Sequence, residues 1–483
     1  MGIKVTIPAK AALPAMISAF VLTACQSGSG PGRPADMPNI LFLTADDLNY
    51  NSVGSYGCQV PGITPHLDRL AGEGIRFNHA HVNISVCQPS RQSMLTGMYP
   101  HSNGGFAFFP IDSSVITLNE ILREAGYLNG ILGKEKHYQP AEKFCWDYLR
   151  SESDLASGRG IGRDPEKYYR EARAFIEMAL SRKRPFFLHA NAHDPHRPFA
   201  GSEAEQKAWG DDLPAITRMV GVDEVEVHGM LPDLDEIRRE TAQYYTSVFR
   251  CDETIGAVLR ALEESGAADE TLVVFLSDNG MSFPYAKTNC YLNSTKTPLI
   301  IKWPGHIQEG MVDSIHMVSG IDLMPTFLEA AGLPLPDHLQ GRSLMGIFSG
   351  VMENGRDHVF TEFHMNFARD YFPMRSVITS EYSYIANFWS DGTMVFQNES
   401  KGGLSFPAMV RAGESDPVIR HRVDFYNLRT SEEFYDNRND PDAMVNLIGE
   451  PGLESLIAEF RTALIEHMTL TGDTLLRRLE AVR

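Results

Sequence analysis

The 483-residue sequence predicts an α/β fold, with a mostly parallel sheet between helices and a smaller C-terminal domain. Continuous apolar runs alternate with amphipathic helical segments, as is typical of strands buried on both faces of a parallel sheet. Several runs end in polar clusters, and ligands bind at the carboxyl ends of such strands. Short alternating runs after residue 356, followed by a helix over 453–468, predict the antiparallel-sheet domain. We expect a catalytic domain over residues 38–352 and the smaller domain over 353–483.

The first residues predict an exported lipoprotein. Ala11 to Ala24 is mostly apolar and is too short to span a bilayer as a mature helix. The sequence ending at Cys25 resembles a bacterial lipoprotein signal, which implies acylation of Cys25 after cleavage. We therefore expect a signal peptide over 1–24, a flexible tether over 25–37, and lipid anchoring in the periplasm or at the cell surface. An ordinary secretory signal with a chance cysteine is the alternative.

Composition excludes some classes of function. The net charge of −19 and the pI of about 5.3 argue against a nucleic-acid partner, which would need a basic face. A small anionic substrate remains compatible, because a local basic pocket can oppose the global charge. The wide cysteine spacing contains no CxxC pair and does not predict zinc. Export permits disulfides among the four cysteines other than Cys25 and Cys87.

The first predicted strand runs from Asn39 to Thr44 and leads into Asp46 and Asp47. Two adjacent carboxylates at a strand end are costly to bury unless they bind a cation or a dense hydrogen-bond network. A cap pair on a helix is the alternative. A helix is predicted over 64–74.

Cys87 precedes a short predicted helix, in which Pro89 suits the first turn and Gly97 suits a left-handed cap. Free N–H groups at the start of a helix favour anions and lower the pKa of a thiol. Arg91, one turn further on, adds a fixed positive charge. These features predict a reactive cysteine beside an anion site, and a buried structural cysteine is the alternative.

Three later apolar runs also end in polar residues. They are 127–132, followed by Lys134 and His137; 184–190, followed by His193; and 271–276, followed by Asp278 and Asn279. Because parallel strands present their carboxyl ends at one edge, we expect these side chains to meet Asp46 and Asp47 in one crevice. Acids and bases gathered there predict a metal-assisted site. The remaining predicted elements are helices over 118–125, 168–180, 234–265 and 321–331, an acidic irregular segment over 201–231, and a strand within 297–305 preceded by a loop containing Lys287.

These residues together resemble the type I sulfatases of the alkaline phosphatase superfamily. The signature C-x-P-S-R is Cys87-Gln88-Pro89-Ser90-Arg91, and it continues through Leu95-Thr96-Gly97. Supporting motifs follow in the order of the family: Asp46-Asp47, Thr64-Pro65, Gly133-Lys134, His193-Asp194-Pro195-His196, Ser277-Asp278-Asn279-Gly280 and Phe434-Tyr435-Asp436. The residues around His193, Thr288 and Pro373-Met374-Arg375 look most like the heparan N-sulfatases. The resemblance implies an alkaline-phosphatase-like fold.

The resemblance also implies a mechanism. The cysteine of the signature is oxidised to formylglycine before folding, which requires a formylglycine-generating maturation enzyme as a partner. Asp46, Asp47, Asp278 and Asn279 would hold Ca²⁺, which also binds the hydrated formylglycine at position 87. One hydroxyl of the hydrate attacks sulfur to give a covalent sulfo-enzyme, and the second hydroxyl expels sulfate. A cysteine or serine side chain has no second hydroxyl for this elimination.

Roles for the remaining site residues follow from the same resemblance. Arg91 and Lys134 would orient the hydrate, and His137 would be the base for the elimination. His193 and Lys287 would contact sulfate oxygens and protonate the leaving group. Two residues separate Lys134 from His137 where the family commonly has one, so Lys134 is preferred but Lys136 stays possible. Lys287 stands where heparan N-sulfatases carry arginine.

The implied substrate is a sulfated saccharide, foremost the N-sulfate of glucosamine in heparin or heparan sulfate fragments, attacked from a chain end. We expect His364, Arg369 and Arg375 to reach the sugar. The alternatives are an O-sulfatase acting on another sulfated sugar or an aryl ester, and a phosphonate or phosphodiester hydrolase. A cysteine-dependent phosphatase fits poorly, because it needs five residues between Cys and Arg and here there are three. A non-enzymatic carbohydrate-binding lipoprotein is the last alternative.

Overall fold

The computed structural model describes residues 37–158 and 160–480. The expected signal peptide, Cys25 and the tether up to residue 36 lie outside the described residues. The strands are β1 Asn39–Ala45, β2 Ile75–Phe77, β3 Ala80–His81, β4 Leu128–Leu132, β5 Tyr148–Arg150, β6 Phe186–Asn191, β7 Thr271–Ser277, β8 Leu299–Lys302, β9 Met311–Asp313, β10 Val318–Ser319, β11 His358–Met365, β12 Tyr371–Thr379, β13 Tyr382–Asn387 and β14 Glu432–Asp436.

The helices fall between and after these strands. They are α1 Pro65–Gly72, α2 Cys87–Thr96, α3 Pro100–Asn103, α4 Leu118–Glu124, α5 Pro165–Ser181, α6 Glu203–Trp209, α7 Asp235–Glu264, α8 Leu292–Thr295, α9 Leu323–Ala330, α10 Met345–Phe348, α11 Ser405–Ala412, α12 Pro417–Leu428, α13 Glu454–Leu470 and α14 Leu476–Glu480. The segment expected to be irregular over 201–231 therefore contains α6.

An eight-stranded sheet forms the centre of the larger part, in the order β5-β4-β6-β1-β7-β8-β2-β9. The strands from β5 to β7 pair in parallel, whereas β8 runs antiparallel to both β7 and β2. β1 occupies the middle, with Thr44 opposite Asn191 on one side and Leu276 on the other. The prediction of a mostly parallel sheet is confirmed.

Helices cover both faces of this sheet, which explains why its central strands are largely apolar. Leu41 and Leu43 of β1 belong to a core shared with α5 and α7. Ile40 and Phe42 point to the other face and belong to a core shared with α2, α4 and α9. Alternate residues of a strand face opposite sides of a sheet, so a strand with helices on both sides needs no polar positions.

The C-terminal part contains the antiparallel sheet β11-β12-β13-β14, and α13 packs on it through Ile457, Phe460 and Leu464. This confirms the predicted smaller sheet with a covering helix. β11, α11 and α12 were not predicted, although Asp416-Pro417 is a local start signal for α12: the Asp416 side chain caps the helix and Pro417 opens it. The domain boundary at residues 352 and 353 stays a prediction.

Two further expectations concern the cysteines and the membrane. Cys58, Cys145, Cys251 and Cys290 are all free thiols, so the part of the chain that the structure describes holds no disulfide. Among residues 37–158 and 160–480, no helix has the length and apolar character needed to cross a bilayer.

Candidate active site

The four predicted polar clusters lie together, because β4, β6, β1 and β7 are consecutive neighbours in the sheet. Asp46 and Asp47 follow β1, and Asp278 and Asn279 follow β7. After β4, Gly133 and Lys134 both have left-handed backbone, with φ of 71° and 55°, so the chain turns sharply where it leaves the sheet. Strand order thus brings the acids and bases to one edge.

Cys87 is the first residue of α2, two positions before the predicted first helical residue Pro89, and Gly97 ends the helix in the left-handed conformation. Its side chain is buried, and Sγ donates a hydrogen bond to Asp46 Oδ1 at 3.2 Å. Burial and the Asp46 carboxylate raise the pKa of this thiol well above its usual value. The expected lowering by the helix N-terminus is wrong, because desolvation and nearby carboxylates outweigh the helix dipole. An unmodified Cys87 is therefore a poor thiolate nucleophile.

Three carboxylates and Cys87 form one buried cluster. Ligand atoms of Asp46, Asp47, Cys87 and Asp278 all lie within 4.8 Å of one another. The Asp47 backbone N–H donates to Asp278 Oδ1 at 3.1 Å, and Asn279 Nδ2 donates to Asp47 Oδ1 at 2.7 Å. Asn279 Oδ1 is buried and accepts no hydrogen bond. Clustered carboxylates with an unused amide oxygen are the hard donors that Ca²⁺ prefers, so these residues fit the implied ion.

Arg91 is buried beside this cluster and contacts its carboxylates. Its Nε donates to Asp278 Oδ2 at 2.9 Å, and its Nη1 donates to Thr44 Oγ1 at 2.8 Å and to Asn191 Oδ1. The guanidinium is fully buried, and its Nη2 lies 3.9 Å from Asp46 Oδ1. Burial raises the pKa of Asp278 despite Arg91, and a cation in the cluster would oppose that shift. Arg91 thus positions the carboxylates.

Two buried lysines lie beside the cluster, each between an aspartate and a glutamate. Lys134 Nζ contacts Asp46 Oδ2 and lies 3.9 Å from Glu152 Oε1. Lys287 Nζ lies 2.7 Å from Asp47 Oδ1 and 2.6 Å from Glu399 Oε1. Burial alone would lower the pKa of a lysine, but the aspartate, glutamate and thiol groups around each ammonium together outweigh burial, so both pKa values are raised. Lys136 is exposed, which favours Lys134 as the site residue.

The two candidate histidines are neutral in this setting. Burial, followed by Lys134, holds the pKa of both His137 and His193 well below the ordinary value. The Nδ1 atoms of both rings are buried without a hydrogen-bond partner. His193 Nδ1 lies 3.7 Å from Glu152 Oε1, which is longer than a hydrogen bond.

These side chains border one cavity of about 320 Å³. Its walls include five predicted site residues: Cys87, Lys134, His137, His193 and Lys287. The other lining residues are Val86, Phe108, Glu152, His196, Thr288, Asn366, Phe367 and Glu399. Buried cations around a deep carboxylate cluster suit an anionic group entering from the cavity.

Sequence reasoning missed Glu152, His196 and Glu399. His196 belongs to a motif that the sequence analysis quoted, and its spacing from His193 was the available signal. Glu152 follows the short strand β5, and Glu399 begins a 3-10 turn Glu399–Gly402 in the C-terminal part. The sequence around each glutamate contains no motif that marks a site residue, because each side chain reaches the cavity only through the tertiary fold.

The three expected sugar-binding residues lie outside the cavity lining. Arg375 is buried, and its Nε donates to Asp473 Oδ2 at 2.5 Å. His364 is also buried, with Nε2 3.0 Å from Glu362 Oε1. The Arg369 guanidinium packs 5.0 Å from the centre of the Phe109 ring. Protein carboxylates thus engage the buried His364 and Arg375, whereas Arg369 is exposed, and the expectation that the three residues reach the sugar stays a prediction.

Arg375 instead joins the two parts of the fold. It pairs with Asp473 and lies 3.8 Å from Glu362, whose carboxylate also contacts His101 of the larger part. Burial raises the pKa of Glu362 by itself, but His101, Arg375 and His364 outweigh burial and hold it well below the usual value. The cluster is therefore an ion network within the protein.

Replacing Arg375 by Met should lower the free energy of unfolding by about 3–5 kcal/mol, because it leaves the buried Asp473 without its guanidinium partner and removes one of the positive groups beside Glu362. Urea denaturation followed by circular dichroism measures the change. Arg369→Met is the matched control, and its exposed side chain predicts a loss under about 1 kcal/mol. Equal losses in the two variants would contradict the assigned network.

Comparisons with known proteins agree with this geometry. Residues 38–333 match the family model Sulfatase, and residues 282–397 match the model N-sulphoglucosamine sulphohydrolase, C-terminal. The chain is 31% identical to human N-sulphoglucosamine sulphohydrolase over 467 residues, which cover 90% of each chain. It is 26% identical to an ulvan-active sulfatase of Formosa agariphila over 91% of this chain and 82% of the relative.

Solved structures show the same fold. A protein in complex with its substrate D-glucosamine-2-N,6-O-disulfate superposes with a TM-score of 0.68 at 20% identity. The match covers 91% of this chain and 99% of that chain. With the matched family model over most of the sheet and its crevice, the chain belongs to the sulfatase family.

Proposed function

We propose that this sulfatase removes the N-sulfate of glucosamine at the ends of heparin or heparan sulfate fragments. The match of residues 282–397 to the C-terminal model of N-sulphoglucosamine sulphohydrolase carries the proposal. That segment includes Lys287, Thr288, Asn366 and Phe367, which line the cavity. The part of the chain most like N-sulphoglucosamine sulphohydrolases is therefore also part of the cavity wall.

The cavity volume supports action on chain ends. At about 320 Å³, it is at the lower end of the range for ligand pockets, roughly 300–1,000 Å³. Such a volume suits one sulfated sugar more than the middle of a long chain. Sulfate release from internal residues of long heparan chains would contradict this part of the proposal.

The proposal includes a calcium ion and a formylglycine made from Cys87. Asp46, Asp47, Asp278 and Asn279 would hold Ca²⁺, which when bound polarises the sulfuryl group. Cys87, converted to formylglycine by a maturation enzyme, would provide the hydrated aldehyde that acts as the nucleophile. A mechanism through a Cys87 thiolate is disfavoured in the folded protein, since burial and Asp46 raise the pKa of this thiol.

The remaining residues bind the sulfate and move protons. Lys287 lines the cavity with its ammonium between Asp47 and Glu399, where its positive charge can attract a sulfate oxygen. Lys134 lies beside Asp46, where it can orient the group at position 87. His137 is neutral and can therefore accept a proton as a base. An anionic substrate raises the pKa of His193, so His193 can take up a proton and deliver it to the leaving nitrogen.

Substrate assays test the proposal directly. We expect the protein, produced with a formylglycine-generating enzyme, to release sulfate from N-sulfoglucosamine with kcat/KM at least about tenfold above that for glucosamine 6-O-sulfate, a difference of about 1.4 kcal/mol in transition-state binding. Ion chromatography measures the sulfate, and 4-nitrophenyl sulfate and a phenyl phosphonate ester serve as comparison substrates. Turnover of O-sulfates without any N-sulfate release would establish an O-sulfatase, which similarity to the ulvan-active sulfatase favours as the second candidate.

Export and lipid anchoring through Cys25 are also part of the proposal. The support is the lipoprotein-like signal sequence that ends at this cysteine. Such an anchor places the enzyme in the periplasm or at the cell surface, where it meets saccharide fragments. Metabolic labelling with a palmitate analogue tests the anchor, and an unlabelled, fully released protein would contradict it.

A further inference from the structure

Two phenylalanines from different parts of the fold meet at the mouth of the cavity. Phe108 lies in the loop after α3, and Phe367 lies in the turn between β11 and β12. Their ring centres are 5.2 Å apart and their planes are nearly perpendicular, at 80°. Phe367 is 77% exposed and Phe108 is 36% exposed. We call this pair the aromatic platform.

The turn that carries Phe367 is well anchored. Asn366 Oδ1 accepts the Asp370 N–H at 2.9 Å, and Asn366 Nδ2 donates to the Gln397 carbonyl at 2.9 Å. The Arg369 guanidinium packs over Phe109, next to the other phenylalanine of the platform. An apolar ring that stays exposed to water on an ordered turn loses the stabilisation that burial of the ring would bring. A binding role accounts for this arrangement.

The platform continues outward from the reacting residues. The Phe108 ring lies edge-on to His137, with centres 6.0 Å apart, and His137 lines the inner cavity. Phe367 lies on the far side of Phe108 and is the more exposed ring. A sugar attached to one whose sulfate occupies the cavity would lie on the solvent side, where Phe367 is.

We propose that the aromatic platform binds the pyranose ring of the sugar glycosidically linked to the sulfated one. A pyranose has an apolar face of C–H bonds that packs on an aromatic ring, and aromatic side chains give large contact areas. The proposal rests on the proposed function, since it takes a sulfated saccharide as the substrate. It adds a second sugar subsite to the single-sugar cavity.

The test compares two substrates in Phe367 variants. One is a sulfated glucosamine, and the other is a disaccharide in which the same sugar is linked through its C1. In Phe367→Ala, we expect the ratio of kcat/KM for the disaccharide to that for the monosaccharide to fall about five- to tenfold, mostly through KM. Phe367→Tyr keeps an aromatic ring and should restore most of the ratio. Leu470→Ala, an 87% exposed apolar residue outside the cavity lining, should leave the ratio unchanged.

An unchanged ratio in Phe367→Ala would overturn the platform, and so would equal losses for both substrates. Failure of the proposed function is distinguishable, because it appears as absence of N-sulfate release by the unmodified chain. In that case the same ratio is measured with 6-O-sulfated sugars. If no sulfated sugar is hydrolysed, calorimetric titration with the disaccharide compares binding by the parent chain and Phe367→Ala, and equal affinities would overturn the platform.

Discussion

Changing Cys87 to Ala should lower kcat/KM for sulfate release at least about 10⁴-fold, the scale of loss when a covalent enzyme loses its nucleophile. The side chain lies against Asp46 at the centre of the carboxylate cluster, so no other residue of the cavity can take its place. Cys87→Ser should be nearly as inactive where the serine is left unconverted, because a single hydroxyl cannot both carry the sulfo group and expel it.

The fold should survive this change, since Ala is smaller and Cys87 contributes one weak thiol hydrogen bond. Circular dichroism and the thermal midpoint check this. Mass spectrometry of the peptide containing Cys87 provides the independent measurement: conversion removes one sulfur and two hydrogens and adds one oxygen. Activity within tenfold of the parent chain would refute the catalytic role and favour a carbohydrate-binding protein.

The second large effect concerns Asp47. In Asp47→Asn, we expect Ca²⁺ affinity to fall at least about a hundredfold, because the change removes one buried anionic oxygen donor. The variant also leaves Lys287 without its buried carboxylate partner. Sulfate release should fall at least about a thousandfold, as the cation supplies charge stabilisation worth several kcal/mol.

A readout other than activity separates metal binding from catalysis. Ca²⁺ at 100 times its Kd should stabilise the parent chain by about 2.7 kcal/mol, raising the thermal midpoint, and should do so far less in Asp47→Asn. Asp391→Asn, an exposed carboxylate, is the matched control and should respond like the parent chain. Metal analysis after dialysis against a chelator completes the test. If neither Ca²⁺ nor chelator changes the thermal midpoint of the parent chain, the cluster does not bind calcium.

The strand ends were predictable because their signals are local. An apolar run ending at Asp46 or at Asp278 shows both the buried strand and its polar exit, and parallel pairing then brings the exits together. The reversed direction of β8 left no such signal, because an apolar strand of four residues has the same pattern in either direction. The sheet class was therefore predictable, whereas the order and direction of its edge strands were not.

The rim of the site was less predictable than its base. Glu399 and Phe367 come from the C-terminal part and reach the cavity through tertiary contacts alone. Arg375 shows the opposite difficulty: its motif suggested a ligand contact, but the structure pairs its guanidinium with Asp473, a residue 98 positions away. A long charged side chain in a sequence does not reveal whether its partner is a substrate or another part of the fold.

The position of β1 in the sheet also has a consequence for the timing of maturation. Asn39 pairs with Thr271, so the central strand has no partner on that side until more than half of the chain has been made. We expect the segment around Cys87 to be accessible to other proteins during this interval, whereas the folded chain leaves that residue only 3% exposed. For the proposed conversion of Cys87, the slow closure of long-range strand pairs would give the modifying enzyme its time to act. Once the last central strand has joined the sheet, a cysteine not yet converted would be buried and, under the proposed function, inactive.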